Sequence, residues 1–238
     1  MEKNQFSDYL QHFGLTRQEA SVYLMLLLKG KQTGYEIAKE TGISRSNAYG
    51  ALAALVEKGA AYLQEESAKK YIPVSLDEFC GNYLQRIQNE RNWLLEHLPR
   101  QQVEEEGYIT IEGKRNIQDK IRNLLKNTKE RVYMACTVEY LKEYEEELLL
   151  LSQEKKKVVI LTDQCWEKEG VVTYVTQNRG NQIGLITDSR YVLSGEYGID
   201  SQNTCLYSGQ KNFVMLFKSA LANEIKLIQL QGGEFRNE

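Results

Sequence analysis

The sequence predicts an α+β protein of two domains that are joined by a long helix. Three observations support this class. Short helical patterns precede two strand-like segments in the first 75 residues, one helical pattern covers residues 76–98, and strands alternate with helices from residue 107 onward. We therefore divide the chain into residues 1–75, 76–106 and 107–238, and expect an α/β domain around a mainly parallel sheet in the last segment.

The N-terminal segment begins with helices whose ends are marked by the sequence. Thr16 precedes Glu19 by three residues and Thr33 precedes Glu36 by three, the spacing of a capping box. Each helix then ends at a glycine, Gly30 or Gly42. The sequence therefore predicts two helices that begin directly after Thr16 and Thr33.

A third helix and a hairpin follow. Ser44 caps the third helix, which ends near Gly59 and turns four apolar side chains inward: Ala48, Ala51, Leu52 and Leu55. Residues 60–64 and 70–74 are predicted strands, joined by a polar tip at residues 65–69. Pro73 is expected near the end of an edge strand, where a missing N–H does least harm.

Helix, sharp turn, helix and hairpin together are typical of a winged helix-turn-helix, a DNA-binding unit. Arg45 can donate two hydrogen bonds to guanine or bind a phosphate, and Asn47 can recognise adenine. A helical domain without a role in DNA binding is the alternative. The candidate DNA-binding residues are Thr33, Ser44, Arg45, Ser46, Asn47, Tyr49, Gly50, Lys69 and Lys70.

The helix over residues 76–98 is a candidate dimer interface. Apolar side chains recur there at spacings that suit a coiled-coil seam, although Glu90 and Arg91 interrupt the pattern. Pro99 and the polar residues 100–106 read as a linker. The predicted dimerisation residues are Leu84, Ile87, Leu94 and Leu98.

The remaining segment alternates between predicted strands and helices. One helix is expected around Ile117 and Leu125, an acidic one at residues 140–151, and a last one that includes Phe213 and Leu221. The predicted strands are residues 108–111, 131–138, 158–161, 171–175, 183–187 and 191–193.

The composition of the chain limits the classes of function that it can have. The net charge of −3 argues against nucleic-acid binding over the whole surface, but the first 75 residues carry nine Lys or Arg against eight Asp or Glu. The apolar runs are far shorter than the roughly 20 residues that cross a bilayer, and residues 1–4 do not open a signal peptide, so a cytoplasmic protein is expected. The four cysteines match no metal or redox motif, which predicts reduced thiols, with a thiol sensor as the alternative: Cys80, Cys136, Cys165 and Cys205.

Residues 14–59 resemble the winged-helix domain of the TrmB family of transcriptional regulators. The resemblance implies a homodimer that binds operator DNA through the third helix. Short members of the family continue with an α/β domain similar to phospholipase D, which residues 113–125, 132–135 and 183–193 resemble. The matching positions in the first domain are Gly14-Leu15-Thr16, Glu19, Tyr23, Leu27, Glu36-Ile37-Ala38, Ser44-Arg45-Ser46, Tyr49, Leu52, Leu55, Gly59, Tyr71 and Pro73.

The second domain is expected to lack catalysis. Phospholipase D enzymes use a His-x-Lys-x4-Asp motif, and neither His12 nor His97 begins one. No metal site or cofactor is predicted. Three carboxylates at strand ends could still pair as acid and base, although solvated carboxylates are the simpler interpretation: Asp163, Asp188 and Glu196.

The predicted function is a homodimeric, sequence-specific DNA-binding transcriptional regulator whose second domain senses a signal or extends the dimer. The effector is left open as a sugar, another small molecule or none. Aromatic residues concentrate in the second half, where they could line a pocket or fill a core. The alternatives are a phosphodiesterase or nuclease tethered to DNA and an architectural DNA-binding protein.

Overall fold

The computed structural model describes residues 2–65, 68–99, 107–176, 179–230 and 234–235. The chain divides into two compact units, Met1–Gln101 and Gln102–Glu238. Each unit combines helices with its own sheet and has its own core of buried side chains, so the α+β two-domain class is confirmed. No helix among the described residues is both long enough and apolar enough to span a membrane.

The first unit contains five helices and a small sheet among its described residues. Both predicted capping boxes form, and Gly42 adopts the left-handed conformation (φ 73°) that turns the chain between two helices. The helices are α1 (Glu2–His12), α2 (Arg17–Lys29), α3 (Gly34–Thr41), α4 (Arg45–Glu57) and α5 (Leu76–His97); the strands are β1 (Gln32–Thr33), β2 (Ala61–Glu65) and β3 (Lys69–Pro73).

The core of this unit forms between α2, α3, α4 and the start of α5. Every apolar position predicted for α4 is buried, which leaves its remaining faces for solvent or a partner. The side chains with no exposed surface include Tyr23, Leu26, Ile37, Leu52 and Leu55.

The small sheet corrects one prediction. Its strand order is β1-β3-β2, so β3 is the central strand and not an edge strand. Pro73 is accommodated because the two-residue β1 pairs only with Lys70 and Tyr71, so the proline lies beyond that partner. The sequence does not reveal β1, because two residues are too few to display a period.

The second unit contains four α-helices and eight strands among its described residues. The predicted acidic helix at residues 140–151 is interrupted by a 3-10 turn at Lys142–Tyr144. The helices are α6 (Lys114–Asn127), α7 (Val138–Leu141), α8 (Glu145–Gln153) and α9 (Lys211–Leu230); the strands are β4 (Ile109–Glu112), β5 (Arg131–Ala135), β6 (Lys157–Thr162), β7 (Val171–Val175), β8 (Gln182–Thr187), β9 (Tyr191–Glu196), β10 (Thr204–Ser208) and β11 (Glu234–Phe235).

The expectation of a mainly parallel sheet is wrong. The order is β11-β7-β6-β5-β8-β9-β10-β4, and of the described pairs only β5–β6 and β6–β7 are parallel. Short loops connect β8 to β9 and β9 to β10, and a short loop between neighbouring strands permits only an antiparallel pair. The predicted strand at residues 131–138 also ends early, because Val138 begins α7.

Helices cover both faces of this sheet. Val132 and Met134 of β5 pack in the cluster that includes α6 and α8. Their neighbours Tyr133 and Ala135 point to the opposite face, towards α9. The two faces differ in packing, and the α9 face contains the cavity described below.

Candidate nucleic-acid interface

The N-terminal turn of α4 is held in place by its cap and is exposed. The Ser44 side chain accepts a hydrogen bond from the backbone N–H of Asn47 at 3.2 Å, which fixes where the helix begins. Arg45, Ser46 and Asn47 are exposed. Tyr49 and Gly50, about one turn later in the helix, are exposed as well. The predicted contact residues of this helix therefore lie on its solvent side.

Arg45 is positioned by an aromatic ring. Its guanidinium lies over the ring of Tyr35, 4.7 Å from the ring centroid, and the tyrosine is half-exposed. Tyr35 is the second residue of α3, so the contact joins the starts of the two helices. Sequence reasoning missed Tyr35, because nothing in its spacing indicates that it meets a residue ten positions later.

Tyr49 sets the distance between α3 and α4. Its ring lies so close to Gly34 that a Cβ atom at that glycine would overlap the ring. Gly34 is buried and begins α3, so it lets the two helices approach each other. On the outer side of α4, Ser46, Gly50 and Ala53 are exposed and small, and the helix has no acidic residue before Glu57.

The hairpin contributes two lysines, Lys69 and Lys70, to the candidate interface. Lys70 lies directly opposite Thr33 in the sheet, which places the strand beside the start of α3. Lys69 forms an exposed ion pair with Glu65, 3.3 Å between nitrogen and oxygen. Residues 66–67 of the predicted polar tip lie outside the described residues.

The nine predicted contact residues thus form one connected region of the first unit. The register pairs Lys70 with Thr33, the next residue Gly34 touches Tyr49, and Tyr49 shares α4 with Arg45. Arg45 is the cation at the exposed start of that helix, where backbone N–H groups also favour anions. The arrangement can bind a polyanion along α4.

The apolar residues predicted for dimerisation are exposed in the isolated chain. Leu84, Ile87, Leu94 and Leu98 have exposed fractions of 59%, 42%, 54% and 69%, and Phe79 is the only buried residue of α5. A row of large exposed apolar side chains on one helix is unusual in a monomer. These four residues, together with the neighbouring Leu95, form what we call the α5 row.

The three candidate carboxylates of the second unit do not form a paired acid and base. Asp163 accepts a hydrogen bond from the backbone N–H of Val138 at 2.8 Å and so caps α7. Glu196 is exposed at the end of β9. Asp188 accepts hydrogen bonds from three consecutive backbone N–H groups, at 2.9, 2.8 and 3.1 Å, from Lys129, Glu130 and Arg131.

Asp188 is therefore a structural carboxylate. Burial raises the pKa of the Asp188 carboxyl, but the three backbone donors together outweigh that effect and hold the pKa below its ordinary value. A depressed pKa in the folded state stabilises the fold above the ordinary pKa, and this stabilisation is lost as the pH falls through the folded value.

We expect Asp188→Asn to lower the free energy of unfolding of the second unit at pH 7 by about 1–3 kcal/mol, because charge-assisted hydrogen bonds are weakened. The deficit should shrink when denaturant titrations are repeated below about pH 4, near the ordinary pKa of aspartate. Asp119→Asn, at an exposed position of α6, serves as the matched control. A deficit independent of pH would contradict the assignment.

A second partly buried carboxylate, which the sequence did not single out, lies at the 3-10 turn. Glu143 accepts hydrogen bonds from Tyr197 and, at 2.7 Å, from Gln118, and Lys114 lies 3.6 Å away. Burial raises the pKa of Glu143, but these donors outweigh it and leave the pKa below its ordinary value. The carboxylate is thus ionised and fully engaged within the fold.

The four cysteines are free thiols, and the pKa of each is raised. Burial raises the pKa of Cys136 to about 12 and that of Cys205 to about 11. Burial also raises the pKa of Cys80, and a hydrogen bond to Glu167 raises that of the exposed Cys165. Raised values keep thiols protonated, which favours the prediction of reduced cysteines over a thiol sensor. Among the described residues, no group of three His, Cys, Asp or Glu side chains is placed to hold a metal ion.

Comparison with known proteins finds a family match within the first unit. Residues 10–77 match the family described as "Sugar-specific transcriptional regulator TrmB". The chain is 28% identical over 151 residues to "Uncharacterized protein YrhO" of Bacillus subtilis (61% of this chain, 54% of that protein). It is 27% identical over 138 residues to "HTH-type sugar sensing transcriptional regulator TrmBL1" of Pyrococcus furiosus (56% of this chain, 40% of that protein). The matches therefore span about half the length of these relatives.

Two solved structures also align with the chain. One is described as TrmBL2, an archaeal chromatin protein with a novel mode of DNA binding, at 20% identity and a TM-score of 0.43, covering 94% of this chain and 98% of that one. The other is Nuc of Salmonella typhimurium, a phospholipase D family member, at 9% identity and a TM-score of 0.42, covering 55% of this chain and 99% of that one.

Proposed function

Since residues 10–77 match the TrmB family, we propose that this chain is a homodimeric, sequence-specific DNA-binding transcriptional regulator that acts in the cytoplasm. The observation that carries the proposal is the exposed, acid-free start of α4, with Arg45 held on the ring of Tyr35. The name of one relative, a sugar-sensing transcriptional regulator, agrees with it.

In the proposed mechanism, α4 enters the major groove with its N-terminal turn first. Arg45 donates two hydrogen bonds to a guanine edge, and Asn47 contacts adenine or a neighbouring phosphate. The small outer side chains of α4, at Ser46 and Gly50, let the duplex approach the helix. Thr33, Lys69 and Lys70 contact the flanking phosphates and fix the register.

Two copies of the winged helix are needed for useful affinity. The first unit has almost no net charge, so one copy makes few phosphate contacts. Pairing through the α5 row doubles those contacts and sets the spacing of two half-sites. In this proposal the second unit is not catalytic and serves as a sensing or dimerising module, because Asp163 and Asp188 act as structural groups and do not form an acid–base pair with Glu196.

The test begins with selection of a binding sequence by the full-length protein from random duplexes, followed by footprinting. Arg45→Ala should then weaken binding of the selected site by about 1–3 kcal/mol, the discrimination carried by one bidentate base contact. The readout is a gel-shift titration at one salt concentration, since phosphate contacts alone make affinity strongly salt-dependent.

The matched control is Arg17→Ala. Arg17 is also an exposed arginine at the first position of a helix, α2, but lies outside the proposed interface. The Arg17→Ala variant should bind the selected DNA site as tightly as the parent protein does. Equal affinities for Arg45→Ala and the parent would exclude the docking of α4, and random enrichment in the selection would exclude sequence-specific regulation.

A further inference from the structure

We infer that the second unit binds a small zwitterion with an apolar body, of the α-amino acid class, in the cavity between its sheet and α9. The cavity has a volume of about 460 Å³, within the range of small-molecule sites. The inference deepens the proposed function, because it assigns a ligand to the sensing module.

The floor of the cavity is made by small residues of three adjacent strands. Ala135 of β5 is paired with Gly184 of β8, and Gly184 is paired with Ser194 of β9. All three line the cavity. A sheet usually fills the space beneath a covering helix with large side chains, so this row leaves a gap under α9.

Apolar side chains form the walls around this floor. Phe217 and Leu221 line the cavity from α9, and Tyr133 and Ile186 line it from β5 and β8. These walls suit a hydrocarbon side chain and offer few partners for the many hydroxyl groups of a sugar. A ligand with an apolar body therefore fits the cavity better than a carbohydrate does.

The charged groups of the cavity lie near the start of β8 and the end of β9. Arg179 forms an ion pair with Glu224 of α9, and its side chain is only 11% exposed. Its Nε atom is buried and has no hydrogen-bond partner among the described residues, which is costly for a guanidinium. Glu196, at the end of β9, adds a second carboxylate to the lining.

The charges decide the class of ligand. One guanidinium and two carboxylates leave a net negative end, so a phosphate or another polyanion would be repelled. A zwitterion satisfies both signs at once. Its carboxylate pairs with the guanidinium of Arg179, and its ammonium group binds the carboxylate of Glu196.

Binding can change the position of α9. Glu224 belongs to α9 and shares Arg179 with the incoming carboxylate, so the ligand competes for an ion pair that joins the helix to the segment before β8. A ligand that weakens this pair favours a different state of the covering helix, as regulation by unequal affinity requires.

The experiment uses isothermal titration calorimetry on the full-length protein without DNA. The probes are leucine, leucinamide (no carboxylate), 4-methylpentanoate (no ammonium) and glucose. Leucine should bind, and both truncated probes should bind about tenfold more weakly or worse, since each loses a charge-assisted hydrogen bond. Glucose binding with no leucine binding, or equal binding of leucine and either truncated probe, would overturn the assignment.

Ser194→Leu should abolish leucine binding, because the added carbons occupy the floor of the cavity. The matched control, Ala222→Leu, fills a neighbouring cavity of about 420 Å³ and should bind leucine as the parent does. Circular dichroism verifies that both variants are folded; if Ser194→Leu is not, Arg179→Gln combined with Glu224→Gln replaces it and should also eliminate binding. Unchanged binding in the folded floor or charge variants would place the ligand elsewhere.

The calorimetric test and the DNA-binding test can fail independently of each other. Absence of leucine binding with intact operator binding would reject this site and leave the proposed regulator standing. Leucine binding with no sequence-specific DNA binding would keep the site and reject the regulator.

Discussion

Replacing Ile87 and Leu94 with aspartate is expected to convert the protein into a monomer and to reduce operator affinity more than any single change in α4. Both side chains belong to the α5 row and are exposed by 42% and 54% in the isolated chain. In a dimer they would be buried against the second copy, where a pair of unpaired carboxylates is strongly unfavourable. Two linked binding modules typically exceed the affinity of one by about 10²–10⁴-fold, which is the loss we expect.

Sedimentation equilibrium measures the oligomeric state, and a gel-shift titration measures operator affinity with the same preparations. The matched control replaces Gln85 and Asn92 with aspartate. These exposed residues have the same spacing of seven but lie on roughly the opposite face of α5. The control should remain dimeric. If the Ile87 and Leu94 variant also remains dimeric, the interface lies elsewhere, and the second unit becomes the first place to search.

The first unit could be predicted closely because its signals are local. Thr16 with Glu19 and Thr33 with Glu36 define helix starts within three residues, and Gly42 defines the turn through its own backbone. Such features need no knowledge of distant residues. The missed parts, β1 and the contact of Arg45 with Tyr35, depend on which elements the fold brings together.

The second unit is harder to predict, because its sheet depends on which distant strands pair with each other. Strand positions follow from local pattern, but direction and order follow from pairing, so the antiparallel partners of β8 and β9 were missed. The cavity has the same origin. Ala135, Gly184 and Ser194 are far apart in sequence and form a gap only because register places them side by side. No spacing in the sequence indicates that three small residues will be neighbours.

The anchoring of α5 to the winged helix is expected to depend on Tyr23. This side chain has no exposed surface, its ring packs edge-on against Phe79 with centroids 5.4 Å apart, and its hydroxyl donates to the carbonyl of Val74 at 2.8 Å. Burial raises the pKa of Tyr23 to about 12, so the hydroxyl remains a donor at neutral pH. Val74 and Phe79 lie on either side of the start of α5.

Tyr23→Ala should lower the free energy of unfolding of the first unit by about 3–5 kcal/mol, the cost of removing a large buried ring. Tyr23→Phe should cost about 1–3 kcal/mol, because it keeps the ring and leaves the Val74 carbonyl without its donor. Denaturant titration followed by hydrogen exchange and mass spectrometry reports the two units separately. Tyr9→Ala, which removes an exposed tyrosine of α1, should change stability by no more than about 0.5 kcal/mol.

The pattern of hydrogen exchange tests whether Tyr23 anchors the start of α5. Because each unit has its own core, amides of the second unit should exchange in Tyr23→Ala as they do in the parent. Amides at the start of α5 should lose protection together with those of α2, since Tyr23 of α2 packs against Phe79 of α5. Protection that is lost in α2 and kept at the start of α5 would mean that α5 is held by other contacts. In that case the dimer helix and the DNA-binding core would not be coupled through Tyr23, and a signal that reaches α5 would need another route to α4.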